Sequence, residues 1–216
     1  MFRWQVIADN WPVLSAGIWE TIQIFLISLV LGTVLGIPLG TLFQAKAAVV
    51  RLAVRAFVEV FRGLPVPITL FFVFFAVPML TGIDIPSKPA AILGLTLWSM
   101  SEIAEIVRGA IQSIPKGQTE AGRALALTYP QILVWILLPQ AVRRMLPPLV
   151  GIYNRLAKST ALAAMIGVRD LITAGQIVIE RTLASLEVYT FIVVVFFALC
   201  YPLSIISYRL EKRLSR

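Results

Sequence analysis

The sequence contains no histidine and only one cysteine, Cys200. The first absence removes imidazole bases, histidine metal ligands and the commonest proton relay. The second excludes an internal disulfide and a cysteine metal cluster. Charge is also scarce. Asp, Glu, Lys and Arg make up 14% of the 216 residues, too few to cover the surface of a soluble domain. There is no G-x-x-x-x-G-K-[ST] phosphate loop, no nucleophile paired with a base, and no convincing internal repeat. The chain therefore reads as neither an enzyme nor an ATP-driven motor. The missing repeat argues against the inverted-repeat carriers.

What the chain has in quantity is uninterrupted apolar sequence. Twenty-five uncharged residues lie between Glu20 and Lys46, 21 between Arg62 and Asp84, and 21 between Glu187 and Arg209. A helix rising about 1.5 Å per residue needs about 20 apolar residues to cross a hydrocarbon core about 30 Å thick, so each run predicts a span. Two more apolar stretches carry charge: residues 89–113 with Glu102, Glu105 and Arg108, and residues 145–168 with Arg155 and Lys158. A charge at the bilayer centre costs roughly 2.5–3.5 kcal/mol on insertion scales, so such groups are expected to face protein or water and to mark function. The reading is an all-α polytopic membrane protein forming one domain over residues 1–216. Its five spans fall at about 21–43, 64–80, 89–113, 145–166 and 188–208. The first run is too long for a signal-peptide core and has no A-x-A-like site after it, so it is expected to remain a span.

The net charge is +8, and its placement orients the chain. Lys46, Arg51, Arg55 and Arg62 follow the first span. Arg108, Lys116, Arg123, Arg143 and Arg144 lie between the third and fourth, and Arg209, Lys212, Arg213 and Arg216 follow the fifth. The positive-inside rule puts these 13 of 19 basic residues in the cytoplasm, with the N-terminus outside and the C-terminus cytoplasmic. Because they sit beside span ends, they are read as topology signals and not as a nucleic-acid surface.

Trp4, Trp11 and Trp19 suit the outer interface, where residues 1–20 are expected to form a short surface helix. Gly32, Gly36 and Gly40 make a small-xxx-small ladder that serves either packing within the subunit or a dimer contact. Residues 46–62 read as a basic connector, with Arg62 anchoring it to head groups or toward the cytoplasmic side. Pro65 and Pro67 mark a kink at the inner interface. Glu105 and Arg108, one turn apart, read as a local ion pair. Arg143 and Arg144 read as interface anchors. Residues 169–187 are mixed and polar enough to lie outside.

The most specific stretch is EAGRALALTYPQILVWILLPQ, residues 120–140. A small-residue amphipathic helix at about 117–128, stopped by Tyr129-Pro130, stands between two spans. Its small side chains can seat in a groove on another protein. The bland reading is an ordinary interfacial helix.

The pattern resembles that of ABC importer permeases: E-A-A, three residues, Gly, nine residues, then I-x-L-P. Glu120, Ala121, Ile136, Leu138 and Pro139 match, while Gly122 replaces the second Ala and Ala126 replaces the Gly. Both replacements remain small. FRGLPVP (61–67), AEIVRGAIQSIPKGQTEAGRAL (104–125), LPQAVRRMLPPL (138–149) and KSTALAAMIGV (158–168) are similar to the permeases for polar amino acids of the histidine, arginine, glutamine and glutamate type.

The resemblance implies a type I ABC importer-like fold in the bacterial cytoplasmic (inner) membrane. It further implies a second permease subunit, identical or related, two cytoplasmic ATPase subunits that hold ATP-Mg, and an extracytoplasmic substrate-binding protein. The chain itself would carry no cofactor, no metal and no catalytic residue. Gly117, Glu120, Ala121, Gly122 and Ala126 would form the ATPase-coupling helix.

A zwitterionic solute needs an acceptor for its ammonium and a donor for its carboxylate. Glu102 is expected to take the first. Lys158 is expected to take the second, with Asn154 on the same face one turn earlier (i, i+4) and the hydroxyls of Ser159 and Thr160 beside it. The alternative is that Glu102 forms a structural ion pair with Arg155 or Lys158. Lys158 and Thr160 match the family pattern. Glu102, Asn154 and Arg155 do not, and Glu102 would suit a cationic substrate. The rival function is a secondary carrier or channel for a small zwitterionic or charged solute, which would need no ATPase.

Overall fold

Proline, glycine and apolar run length set the elements of the chain, seen here in a computed structural model. The structure describes residues 3–214, with side chains through residue 212, so Arg213 and Arg216 of the basic tail lie outside the described side chains. Helix α1 is Gln5–Asp9, α2 is Trp11–Thr41 and α3 is Ala48–Gly63. Helices α4 (Val66–Phe71) and α5 (Val77–Thr81) are joined by a π-helical turn, Phe72–Ala76. Helix α6 is Ser87–Gln112 and α7 is Lys116–Ala124. Helix α8 (Tyr129–Gln131) continues through a second π turn, Ile132–Leu137, into α9 (Leu138–Ser159) and the 3-10 segment Thr160–Ile166. Helices α10 (Leu171–Thr182) and α11 (Ser185–Leu214) complete the order, with no strand among the described residues.

Four stretches are long and apolar enough to cross a membrane: Trp11–Gln44, Ser87–Gln112, Tyr129–Ile166 and Ser185–Lys212. A fifth, Ala48–Gly63 plus Val66–Thr81, is bent by 110° at Leu64-Pro65. Proline restricts the residue before it to extended backbone, and Leu64 has ψ 136°.

Each π turn lies just ahead of a proline, Pro78 or Pro139. Proline has no N–H and its ring pushes against the carbonyl one turn back. Widening the helix there to an i+5 ladder accommodates both.

The first helix begins ten residues earlier than the apolar run suggests. Pro12 sits in its first turn, and nothing breaks the helix before Thr41. Only α1 is a separate short helix.

Helix α6 is the most enclosed span, with 61% of its most apolar window buried, against 11% in the last span. This enclosure explains how it can carry Glu102, Glu105 and Arg108. The glycine ladder seats α2 against α6. A Cβ on Gly36 would lie 2.9 Å from Met100 O and from Ile103 Cβ. One on Gly40 would lie 2.6 Å from Ala104 O. The ladder is therefore used for packing within the chain.

Helix α10 is the element that the mixed composition of residues 169–187 hides. Leu171 and Val178 pack with Leu14, Val188 and Ile192, and Ala174 lies against Gly17. Asp170 caps this helix, its Oδ1 accepting the Thr173 N–H at 3.0 Å. The carboxyl is buried, its Oδ2 has no protein partner, and burial pushes its pKa up from 3.8 to about 6.

A raised carboxyl pKa means that the folded protein binds the extra proton. Stability from this site is then full below about pH 4 and is lost as pH rises through 6. Asp170→Asn keeps an acceptor at the cap and removes the charge. Its melting temperature in detergent should exceed that of the wild type at pH 7.5, by an effect on the order of 2 kcal/mol. The gap should shrink as pH falls below 6 and close only below about pH 4, and a gap independent of pH would refute the assignment.

Candidate functional site

Two places gather most of the residues singled out in the sequence: the α7 turn and a charged cluster shared by α3, α6 and α9. Pro115, with extended backbone, starts α7, and the helix ends at Ala124, four residues short of the span expected from sequence. The cause is a Schellman turn. Leu127 N–H donates to Gly122 O at 3.1 Å and Ala126 N–H to Arg123 O at 2.9 Å. Ala126 itself is left-handed, with φ 56°. The family pattern has glycine at this position, and the geometry gives the reason.

An L-residue there is strained by about 1–2 kcal/mol. Glycine would relieve this at a chain-entropy cost of about 0.5–1 kcal/mol. Ala126→Gly should therefore slow hydrogen exchange of the amides of residues 117–127 several-fold. Faster exchange would mean that the turn is not the one described.

Of the expected coupling residues, only Gly122 is buried; Gly117, Glu120, Ala121 and Ala126 are exposed. A Cβ on Gly122 would stand 2.8 Å from Ile132 Cγ1 and 3.0 Å from Ile136 Cδ1. Helix α7 thus lies tightly on the second π turn through one atom-sized gap. Gln140 Nε2 donates to Gln118 Oε1 at 3.1 Å, and Thr128 with Gln131 forms a capping box on α8. Arg144 Nη1 donates to Ser113 Oγ at 2.9 Å and also to Ser113 O, pinning α9 to the end of α6. Ile132 and Leu137 continue into one core with Ile103, Val107, Ile111 and Met145. A force on the exposed side of α7 therefore reaches α6 and α9 through packed side chains. Leu125, which reads in the sequence as one more apolar helix position, is 73% exposed on the same turn.

The second place is built on Glu102. Arg155 Nη2 lies 3.1 Å from Glu102 Oε2, and Arg62 Nε lies 3.6 Å from its Oε1. Arg62 also approaches Glu105 Oε1 at 3.7 Å, so it bridges the two acids. Arg108 Nε donates to Glu105 Oε2 at 2.7 Å, the pair expected from spacing. The Arg155 guanidinium carbon sits 5.9 Å from the Trp98 ring centroid. A cavity of about 360 Å³ opens beside the cluster, lined by Arg62, Glu102, Glu105, Ser113 and Arg144 among others.

Lys158 and Asn154 do share a face, but it is turned to α11. Asn154 Nδ2 donates to Ser204 Oγ at 2.6 Å, and its Oδ1 is buried without a protein partner. Lys158 lines a separate groove of about 460 Å³ with Phe197, Cys200, Tyr201 and Ser204. Thr160 is buried and its hydroxyl donates to Ala157 O at 2.7 Å; Ser159 is half-buried. The structure thus pairs Glu102 with arginines and leaves Lys158 in another cavity. Sequence spacing could not show Arg62 reaching Glu102, because the contact depends on the 110° bend.

A bundle of membrane-crossing helices with a short helix seated between two of them defines a polytopic membrane protein. The chain belongs to the family described as "Binding-protein-dependent transport system inner membrane component", which matches residues 32–216. It is 37% identical over 200 residues to the "Probable glutamine ABC transporter permease protein" of Bacillus subtilis (strain 168), covering 91% of each chain. It is 35% identical to the glutamine transport system permease protein of Escherichia coli (strain K12), over 99% of this chain and 98% of that one. The solved structure of an amino acid ABC transporter with histidines superposes with a TM-score of 0.89 at 25% identity, over 99% of both chains.

Proposed function

We propose that this chain is the permease subunit of an importer for a polar amino acid and works with a separate ATPase. It would sit in a bacterial cytoplasmic membrane with its N-terminus outside and its C-terminus and α7 in the cytoplasm. Two permease subunits would pair, each offering Gly117, Glu120, Ala121, Leu125 and Ala126 to an ATPase subunit that holds ATP-Mg. A binding protein would deliver the solute to the opposite face.

The observation that carries this reading is the seating of Gly122 under Ile132 and Ile136, which ties an exposed helix rigidly to two spans. In its groove the Lys158 ammonium would meet the solute carboxylate as it arrives, while Asn154 holds Ser204 at the groove wall and the buried Thr160 hydroxyl stays on Ala157 O. Glutamine is the first solute to test, since relatives named for it align along 91% and 99% of the chain.

The test is uptake of radiolabelled L-glutamine into proteoliposomes holding the permease, its ATPase subunits and its binding protein. Accumulation should require ATP on the α7 side. Uptake by the permease alone, without ATP, would instead establish the carrier or channel reading.

A further inference from the structure

A cavity of about 230 Å³ opens between the start of α3 and the last turns of α6. Arg51, Leu52 and Arg55 line it from α3, Arg108 and Gln112 from α6, and Phe43 from the turn before α3. Three guanidinium groups and no carboxylate form this lining. The acids that pair with these arginines stand outside it. Glu105 accepts from Arg108 Nε and Nη2, and Glu59 lies 3.8 Å from Arg55 Nε. Three arginines less these two acids still leave one positive charge uncompensated.

That charge is Arg51, which is paired with no acid among the described residues. Its Nη1 donates to Ala45 O and Lys46 O, both at 2.8 Å, which fixes the guanidinium and leaves Nε and Nη2 open. Arg55 follows one turn later, a like-charge spacing that is unfavourable on a helix unless an anion lies between the two. Arg108 is held behind them, with Nη1 on Gln112 Oε1 at 2.7 Å and its guanidinium carbon 5.7 Å from the Phe43 ring centroid. Guanidinium groups fixed in this way bind a phosphate with little further loss of freedom.

The surroundings of the cavity name the source of the phosphate. Helix α3 has three faces. Val54 and Val58 turn inward and pack with Ala104 of α6. Arg51 and Arg55 make a second face. On the third, Val49, Leu52 and Val60 are 79%, 69% and 53% exposed. The 110° bend at Leu64-Pro65 sets α3 across the direction of α4 and α5, roughly along the membrane plane. A helix placed so, with an apolar stripe beside a basic one, rests its apolar side among acyl chains and its arginines among head groups. Leu52 belongs to both the stripe and the cavity wall, so the cavity opens toward the acyl layer.

We propose that this cavity binds the phosphate of an anionic phospholipid, with Arg51 and Arg55 as its donors, Arg108 behind them, and the acyl chains along Leu52 and Val49. The site goes beyond the importer reading and requires only that the chain lie in a membrane. Free phosphate offers the same oxygens but nothing to cover the apolar stripe.

The experiment is native mass spectrometry of the permease–ATPase complex, titrated with dioleoyl phosphatidylglycerol or with dioleoyl phosphatidylcholine, whose acyl chains are identical. Wild type should bind phosphatidylglycerol about ten-fold more tightly. Arg51→Gln with Arg55→Gln should weaken that binding by about 30-fold, since each arginine near an anionic surface contributes about five-fold. Phosphatidylcholine binding should stay as it was. Arg209→Gln with Lys212→Gln removes the same charge at the end of α11 and should change neither lipid by more than about two-fold.

Equal binding of the two lipids by wild type overturns the proposal. So does an equal loss in the Arg209 and Lys212 variant, which would mean general attraction to a basic surface. Undiminished phosphatidylglycerol binding by the Arg51 and Arg55 variant overturns it too, as when the ATPase subunits cover these arginines. Inorganic phosphate that displaces phosphatidylglycerol at equal concentration would make the site one for free phosphate and overturn the lipid assignment. If the double variant does not assemble, Arg55→Gln alone carries the test, with a loss of about five-fold expected and none overturning the proposal.

Discussion

Replacing Gly40 with leucine is expected to abolish recovery of folded protein from the membrane. A Cβ at this position would stand 2.5 Å from Val107 Cβ and 2.6 Å from the Ala104 carbonyl. Neither atom is the end of a flexible side chain, so only a movement of α2 away from α6 can make room. In lipid no hydrophobic drive restores such a contact, because helices associate there through van der Waals packing and polar bonds. Overpacking by a methylene or two costs about 1–3 kcal/mol, and leucine adds four carbons. That is a large part of a total stability of about 5–15 kcal/mol.

Gly40→Ala should lower the melting temperature in detergent while leaving the protein monodisperse on size exclusion. Gly40→Leu should aggregate. Gly151→Ala is the contrast, since nothing in the chain lies within 4 Å of a Cβ there. Helix propensity should then add up to about 1 kcal/mol. A Gly40→Leu protein that elutes and melts like wild type would show that α2 and α6 do not meet through this ladder.

The second large effect is expected at Gly122. Valine there would drive its branched carbons into Ile132 and Ile136 and lift α7 from its seat. Assembly with the ATPase can survive this, because the exposed residues of α7 remain. The link to α6 and α9 cannot, because it runs through the buried contact. The solute imported per ATP hydrolysed should fall several-fold while hydrolysis continues. Ala121→Pro should uncouple as well, by breaking α7 at a cost of about 3 kcal/mol. A wild-type ratio of import to hydrolysis in Gly122→Val would remove Gly122 from the coupling path.

These expectations differ in how far they could be read from residues alone. Gly32, Gly36 and Gly40 announce a close helix approach by their spacing, but not the partner. The same ladder suits a neighbour in the chain or a second subunit, and only the coordinates put Ser99, Ile103 and Val107 opposite it. The α7 segment was legible as a small-residue helix ahead of Tyr129-Pro130. Its early end was not, because the Schellman turn uses an alanine where glycine is usual, so the usual stop signal is missing. Helix α10 is hard to read from the residues for a related reason. Its buried face, Leu171, Ala174 and Val178, is short and is followed by Glu180 and Arg181, while its cap is a single aspartate.

Run length and charge spacing by themselves determined that the chain crosses a membrane about five times and that two of its spans carry charge. These follow from bilayer thickness and the cost of burying an ion, both properties of the solvent that need no partner residue. Which charges meet was decided only by the tertiary structure. Arg62 lies 40 residues before Glu102 and Arg155 lies 53 after it. Coulomb attraction depends on distance in space. The bend at Leu64-Pro65 and the seat of α9 against α6 set that distance, turning an acid that suggested a cationic substrate into an anchor for two arginines.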